Sequence, residues 1–168
     1  MKRMLIPALL FIVASGIFAL GPQTLGSSHA VSGYDYKDMS VAVVVSPVEV
    51  GKMWLSANYS YPLLFSERDK LLEFVQASAK KIDIAISNKT TISFVQEIGR
   101  FYTDDSALVT VSFETHGYAS SNTVVQLTNE GRYIKFLLNK EDTRDFIAAL
   151  RSAHSLSNDY QTQVTLFK

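Results

Sequence analysis

Residues Ala107–Leu138, ALVTVSFETHGYASSNTVVQLTNEGRYIKFLL, decide the fold. In the first third Val109, Val111 and Phe113 alternate with Thr110, Ser112 and Glu114. A period of two residues puts the apolar set on one face of a half-buried strand. Downstream, Thr123–Thr128 and Arg132–Leu138 flank Asn129-Glu130-Gly131. That triplet predicts a three-residue hairpin loop whose glycine takes the left-handed position of a G1 bulge. Closing the loop on Thr128 and Arg132 sets Val124 opposite Phe136 and Val125 opposite Lys135. Both faces then carry apolar side chains, which predicts central strands rather than a sheet edge.

Working outward, Thr91–Tyr102 reads as another strand, with Ile92, Phe94 and Ile98 on one side and a bulge at Gly99. Asp104-Asp105-Ser106 supplies the turn into Ala107. Upstream, Leu71, Leu72, Val75, Ala79, Ile82 and Ile86 fall at three-to-four spacing, predicting an amphipathic helix from Glu67 to about Ser87. Ser66 with Asp69 forms a capping-box pattern at its start, and Asn88 ends it. The competing reading makes residues 82–86 a strand, because those isoleucines also alternate. Val41–Val45 is apolar on successive positions and predicts a strand covered from both sides. A short strand is expected around Lys52–Ser56, followed by an aromatic loop, Asn58-Tyr59-Ser60-Tyr61-Pro62.

Past the hairpin, Asn139 with Glu141 and Asp142 marks the start of a second helix. Phe146, Ile147, Leu150 and Ala153 are its buried stripe, and His154 falls near its end. Leu156–Gln161 reads as a polar connection, and Gln163–Phe167 as a last short strand. No internal repeat is visible. These elements predict a single α+β domain, a mostly antiparallel sheet with two helices packed on one face.

The N-terminus carries a different signal. Lys2 and Arg3 precede the uncharged apolar run Met4–Leu20, and Ser28-His29-Ala30 offers small residues for a signal peptidase. We therefore expect a signal peptide over residues 1–30, cleavage after Ala30, and an exported domain over residues 31–168. Its destination would be periplasmic or extracellular. An uncleaved anchor is the alternative, since the run is near the lower limit of ~17 residues for spanning a bilayer. It would make the chain a tethered envelope module touching membrane only through that segment.

Composition excludes several chemistries. The chain has no cysteine, so thiol catalysis, thiolate metal sites and disulfides are impossible. Losing Lys2 and Arg3 turns a chain of 16 basic and 16 acidic residues acidic by two, and no basic cluster exceeds Lys80-Lys81. Nucleic acid is not an expected partner. No phosphate-binding glycine loop, dinucleotide fingerprint, calcium loop or nucleophile elbow is present, so no cofactor or metal is expected.

Two groups could carry function. Trp54, Tyr59, Tyr61 and Phe65 crowd one stretch, and an exposed aromatic platform can stack on a ring or anchor a protein. These are the expected binding residues, for a small ligand or an envelope protein. Glu114 and His116, two apart on one strand, point to the same face and support an alternative. In that reading the pair serves a hydrolase or a metal-assisted enzyme.

Overall fold

The computed structural model describes residues 23–32, 38–46, 49, 51–56 and 60–166. Strands β1 (Gln23–Ser32), β2 (Asp38–Val45), β3 (Lys52–Ser56) and β4 (Ser60–Leu64) lead into helix α1 (Phe65–Ser87). Strands β5 (Ser93–Tyr102), β6 (Leu108–His116), β7 (Ser121–Asn129) and β8 (Arg132–Leu138) lead into helix α2 (Lys140–Thr165). The chain thus runs twice through the same plan, an antiparallel four-strand meander closed by a long helix. The expectation of no repeat holds for the residues and not for the architecture.

The two meanders join edge to edge in the order β4-β3-β2-β1-β8-β7-β6-β5. Among the described residues β1 meets β8 at Val31–Lys135 and Ser32–Ile134, and it pairs with β2 from Gln23 to Val31. The apolar run Met4–Leu20, which carries the export reading, lies outside the described residues. Gln23–Ala30, at the end of the segment expected to be removed, forms most of β1. Among the described residues no helix is long and apolar enough to cross a membrane.

One core unites the molecule. Val41, Val43, Val45, Met53, Leu55, Leu63, Val109, Val111, Val125, Leu127, Ile134, Phe136 and Leu138 bury one face of the sheet. Leu71 and Val75 of α1, with Phe146, Leu150 and Ala153 of α2, complete the same cluster. Alternate strand residues, among them Ala42, Val44, Trp54, Ser112 and Leu137, sit on the other face and are only half-buried. The Val41–Val45 strand is therefore fully covered on one side, not on both.

Several local expectations are corrected. The β7–β8 hairpin closes on Asn129–Arg132, so the loop is the two residues Glu130-Gly131. Both have positive φ, 48° and 76°. That is the type I′ turn, whose twist matches its strands without a bulge. The register shifts by one: Val125 faces Phe136, Val124 faces Leu137, and Gln126 faces Lys135. Tyr61 and Pro62 lie in β4 rather than in a loop. Helix α1 does cover residues 82–87, but starts without a Ser66–Asp69 cap. Glu67 does that work from inside the first turn: one carboxylate oxygen accepts from the Leu64 amide at 2.7 Å and the other from the Asp104 amide at 2.6 Å. This ties the β5–β6 turn to the head of α1.

Helix α2 does not stop near His154. It continues to Thr165, so residues 163–165 are its last turn and not a strand. Ser157 and Tyr160 extend the buried stripe begun by Phe146, Leu150 and Ala153. Asn139 caps the helix as expected, its side-chain oxygen accepting from the amides of Glu141 (2.8 Å) and Asp142 (3.0 Å). The bulge at Gly99 is also observed, as a register shift between Glu97 and Gly99.

Polar contacts lock the layers. Thr123 Oγ1 and Ser78 Oγ, both fully buried, bond at 2.9 Å between β7 and α1. Arg68 Nη1 donates to the Leu150 carbonyl at 3.1 Å, joining the two helices under the core. At the outer rim Lys140 Nζ meets Asp83 at 2.6 Å.

Candidate functional site

The sheet face away from the helices carries two clusters, one on each meander. On the first, Trp54 of β3 lies between Val44 of β2 and Pro62 of β4 in the pairing register. The pleat turns all three away from the core, because their strand neighbours Val43, Leu55 and Tyr61 are turned into it. Trp54 and Val44 share a hollow of about 360 Å³ with Ser46, Glu49, Ser56 and Ser60. Ser56 Oγ and Ser60 Oγ bond to each other at 3.2 Å. The hollow therefore combines an indole and a valine with hydroxyls and one carboxylate.

Of the four expected binding residues, the three that are described, Trp54, Tyr61 and Phe65, do not gather. Trp54 alone lines this hollow. Tyr61, one rung from Pro62, points to the opposite face, where it is buried and lines a separate space of about 200 Å³ with Thr103, Asp105 and Glu130. Phe65 opens α1 and stacks on His154 of α2, ring centres 4.7 Å apart, with the Arg68 guanidinium 5.5 Å from its centre. Tyr59 lies outside the described residues. His154 is thus a ring partner in mid-helix rather than a residue near the helix end.

On the second meander Glu114 and His116 do share a face, and they bond: His116 Nε2 to Glu114 Oε1 is 2.8 Å. Lys135 of β8 donates to the other oxygen of Glu114 at 3.4 Å. Burial raises the Glu114 pKa, but the His116 hydrogen bond and the Lys135 charge together outweigh it. The carboxyl is left below its ordinary value. Sequence reasoning missed Lys135 because the slipped hairpin register turned it to the other face. An I′ reading of Glu130-Gly131 places Lys135 on the Gln126 and Thr110 row, and so on the same face as Glu114. Among the described residues no group of three or more His, Asp or Glu gathers in a way that could hold a metal ion.

Fold and site together define a two-layer α+β domain with both helices packed on one face of the sheet. The chain matches no protein-family model, no curated protein and no solved structure.

Proposed function

We propose that this is a small exported domain, periplasmic or secreted, that acts by binding rather than by chemistry. It takes a small apolar ligand, or an apolar side chain of an envelope protein, in the Trp54 hollow. The carrying observation is that hollow itself: an indole half-buried on the sheet face opposite the two helices, in a space within the ~300–1,000 Å³ range of small-molecule sites. The apolar floor supplies affinity, and Ser46, Ser56, Ser60 and Glu49 around it supply the few polar groups that orient a ligand. The basic start, apolar run and Ser28-His29-Ala30 support export.

The test uses Nile red, an uncharged apolar probe that brightens when it leaves water. We expect saturable brightening with the wild-type chain and at least tenfold weaker binding with Val44→Asp or Trp54→Ala, circular dichroism being unchanged. Unsaturable binding, or binding that both variants retain, would remove the hollow from consideration. Loss of fold in Trp54→Ala would show the indole to be structural.

A second reading, a hydrolase using Glu114 and His116, rests on their 2.8 Å bond. There Glu114 orients the imidazole as a base, an arrangement that needs a nucleophile on the other side of the ring. The hydroxyls of that face, Ser112 and Thr110, lie along β6 beyond Glu114 and away from His116, so the nucleophile in this reading is a water that the imidazole activates. Hydrolysis of p-nitrophenyl acetate that disappears in His116→Ala would favour this reading over the first.

A further inference from the structure

The two outer strands of the sheet differ sharply. β4 has five residues with Pro62 at its centre, a residue with no amide hydrogen to offer a newcomer. β5 has ten residues and no proline, and among the described residues its outward backbone groups meet no other strand. Such an edge is a template for pairing with another chain. It is also where apolar surface collects. Of the eight exposed large apolar side chains among the described residues, Ile92, Phe94, Val95 and Tyr102 lie on β5 or at its mouth. Tyr118, whose amide bonds the Thr90 carbonyl, and Ile84, which shares a shallow groove with Phe94 and Gln96, stand beside it.

The charges and register of β5 say what fits there. Glu97 and Arg100 are its two charged residues, both exposed, in a forked pair at 2.6 and 2.7 Å. Ile98 is the extra residue of the bulge, so Glu97, Gly99 and Arg100 occupy successive rungs against Ser112, Val111 and Thr110. Glu97 and Arg100 therefore share the open face, with Val95 and Tyr102 beyond them. A two-fold axis through the Gly99 rung makes the strand complementary to itself. Glu97 falls opposite Arg100 of a second copy, Val95 opposite Tyr102, and Gln96 opposite Phe101, every pair on matching faces. Without the bulge Glu97 and Arg100 would face opposite sides and this match would fail.

We propose that β5 is the surface through which two copies of this chain associate, antiparallel and edge to edge about the Gly99 rung. The two sheets then become one, and the Glu97–Arg100 pairs are shared across the junction.

The test measures the mass of the purified full chain by light scattering up to about 100 μM, a range that populates even a micromolar dimer. Wild type is expected as a dimer. Glu97→Lys sets two cations opposite each other and should weaken association at least tenfold. The double reversal Glu97→Lys with Arg100→Glu should restore it. An independent measurement exploits the absence of cysteine. With Val95→Cys and Tyr102→Cys combined, a mild oxidant should give disulfide-linked dimers, and either change alone should not. Within one chain those positions are over ~20 Å apart along the strand, too far for an internal disulfide. A monomeric wild type with no cross-link would overturn the proposal, including the case where β5 takes a strand from a different protein. A dimer indifferent to Glu97→Lys with no 95–102 cross-link would overturn it equally. If Glu97→Lys fails to fold, the cross-link decides alone.

Discussion

Glu114 shows how one side chain's surroundings become a property of the molecule. Its side chain is only 15% exposed, held by His116 at 2.8 Å and Lys135 at 3.4 Å. Because its folded pKa is depressed, the ionised form stabilises the native state above the unfolded value. That contribution disappears as pH falls through the folded value. Asp83, its carboxyl held down by the Lys140 hydrogen bond, acts in the same direction at the surface. Glu114→Gln should therefore flatten the acid limb of the stability curve below about pH 4.5 and leave its alkaline limb unchanged. Urea midpoints at a series of pH values check this; an unchanged acid limb would show that Glu114 feels no net attraction. Gly99 makes a second residue-scale prediction. A Cβ there would lie 2.5 Å from the Phe74 ring, which covers the bulge from α1. Gly99→Ala should cost about 1–3 kcal/mol through overpacking, measured by urea denaturation. Phe74→Leu in the same background should return part of it.

At the scale of elements, the β7–β8 turn and the far half of α2 are the informative cases. The I′ turn needs positive φ at both central positions, and Glu130 supplies it at a steric cost that Asn bears more easily. Glu130→Asn should stabilise the domain by about 0.5–1 kcal/mol, and Gly131→Ala should destabilise it by about 1 kcal/mol. Helix α2 offers a sharper test. Tyr160 is 6% exposed and Leu166 is 77% exposed. Tyr160→Ala should cost about 3 kcal/mol, whereas Leu166→Ala should be within ~0.5. Equal, small effects would mean that the helix ends before Tyr160. Strands β2, β3 and β5–β8, the start of α2, the Gly99 bulge and the helical state of residues 82–87 were legible because apolar period and local turn or capping signals agree there, whereas β1, β4 and the cap of α1 were not. Nor was the end of α2. Ser155, Ser157, Asn158 and Gln161 look like a loop by composition. Yet Ser152, Ser155, Thr162 and Thr165 return their hydroxyls to carbonyls three or four residues back, which satisfies them inside a helix. The aromatic site was legible only in part. Alternation along β3 and β4 sends Trp54 and Tyr61 to opposite faces, and that alternation is visible only once 60–64 is recognised as a strand.

At the scale of the molecule, the open question is how two meanders become one sheet. Among the described residues they touch within the sheet through the end of β1, at Val31 and Ser32. Elsewhere they are held by the shared core, by Arg68 on the Leu150 carbonyl and by Lys140 on Asp83. The position of the N-terminus bears directly on this. A chain beginning at Val31 keeps both rungs to β8 and the Val31–Asp38 rung, and loses every rung from Gln23 to Ala30 against β2. β2 would then present a second bare edge in mid-sheet. At about 0.5–1.5 kcal/mol net per backbone hydrogen bond, the loss should be on the order of 3 kcal/mol or more. For a domain of this size that lowers the melting temperature by roughly 6–12 °C. Two recombinant chains, one starting at Gln23 and one at Val31, compared by calorimetry, make the measurement. The Gln23 chain is expected to be the more stable. In that event a peptidase cut upstream of Gln23 would conserve the sheet, and the intact mass of the chain recovered from cells tests whether and where it is cut. Equal melting temperatures would mean instead that residues 23–30 add nothing to the fold, and that removal at Ala30 leaves the Trp54 face and both helices as they are.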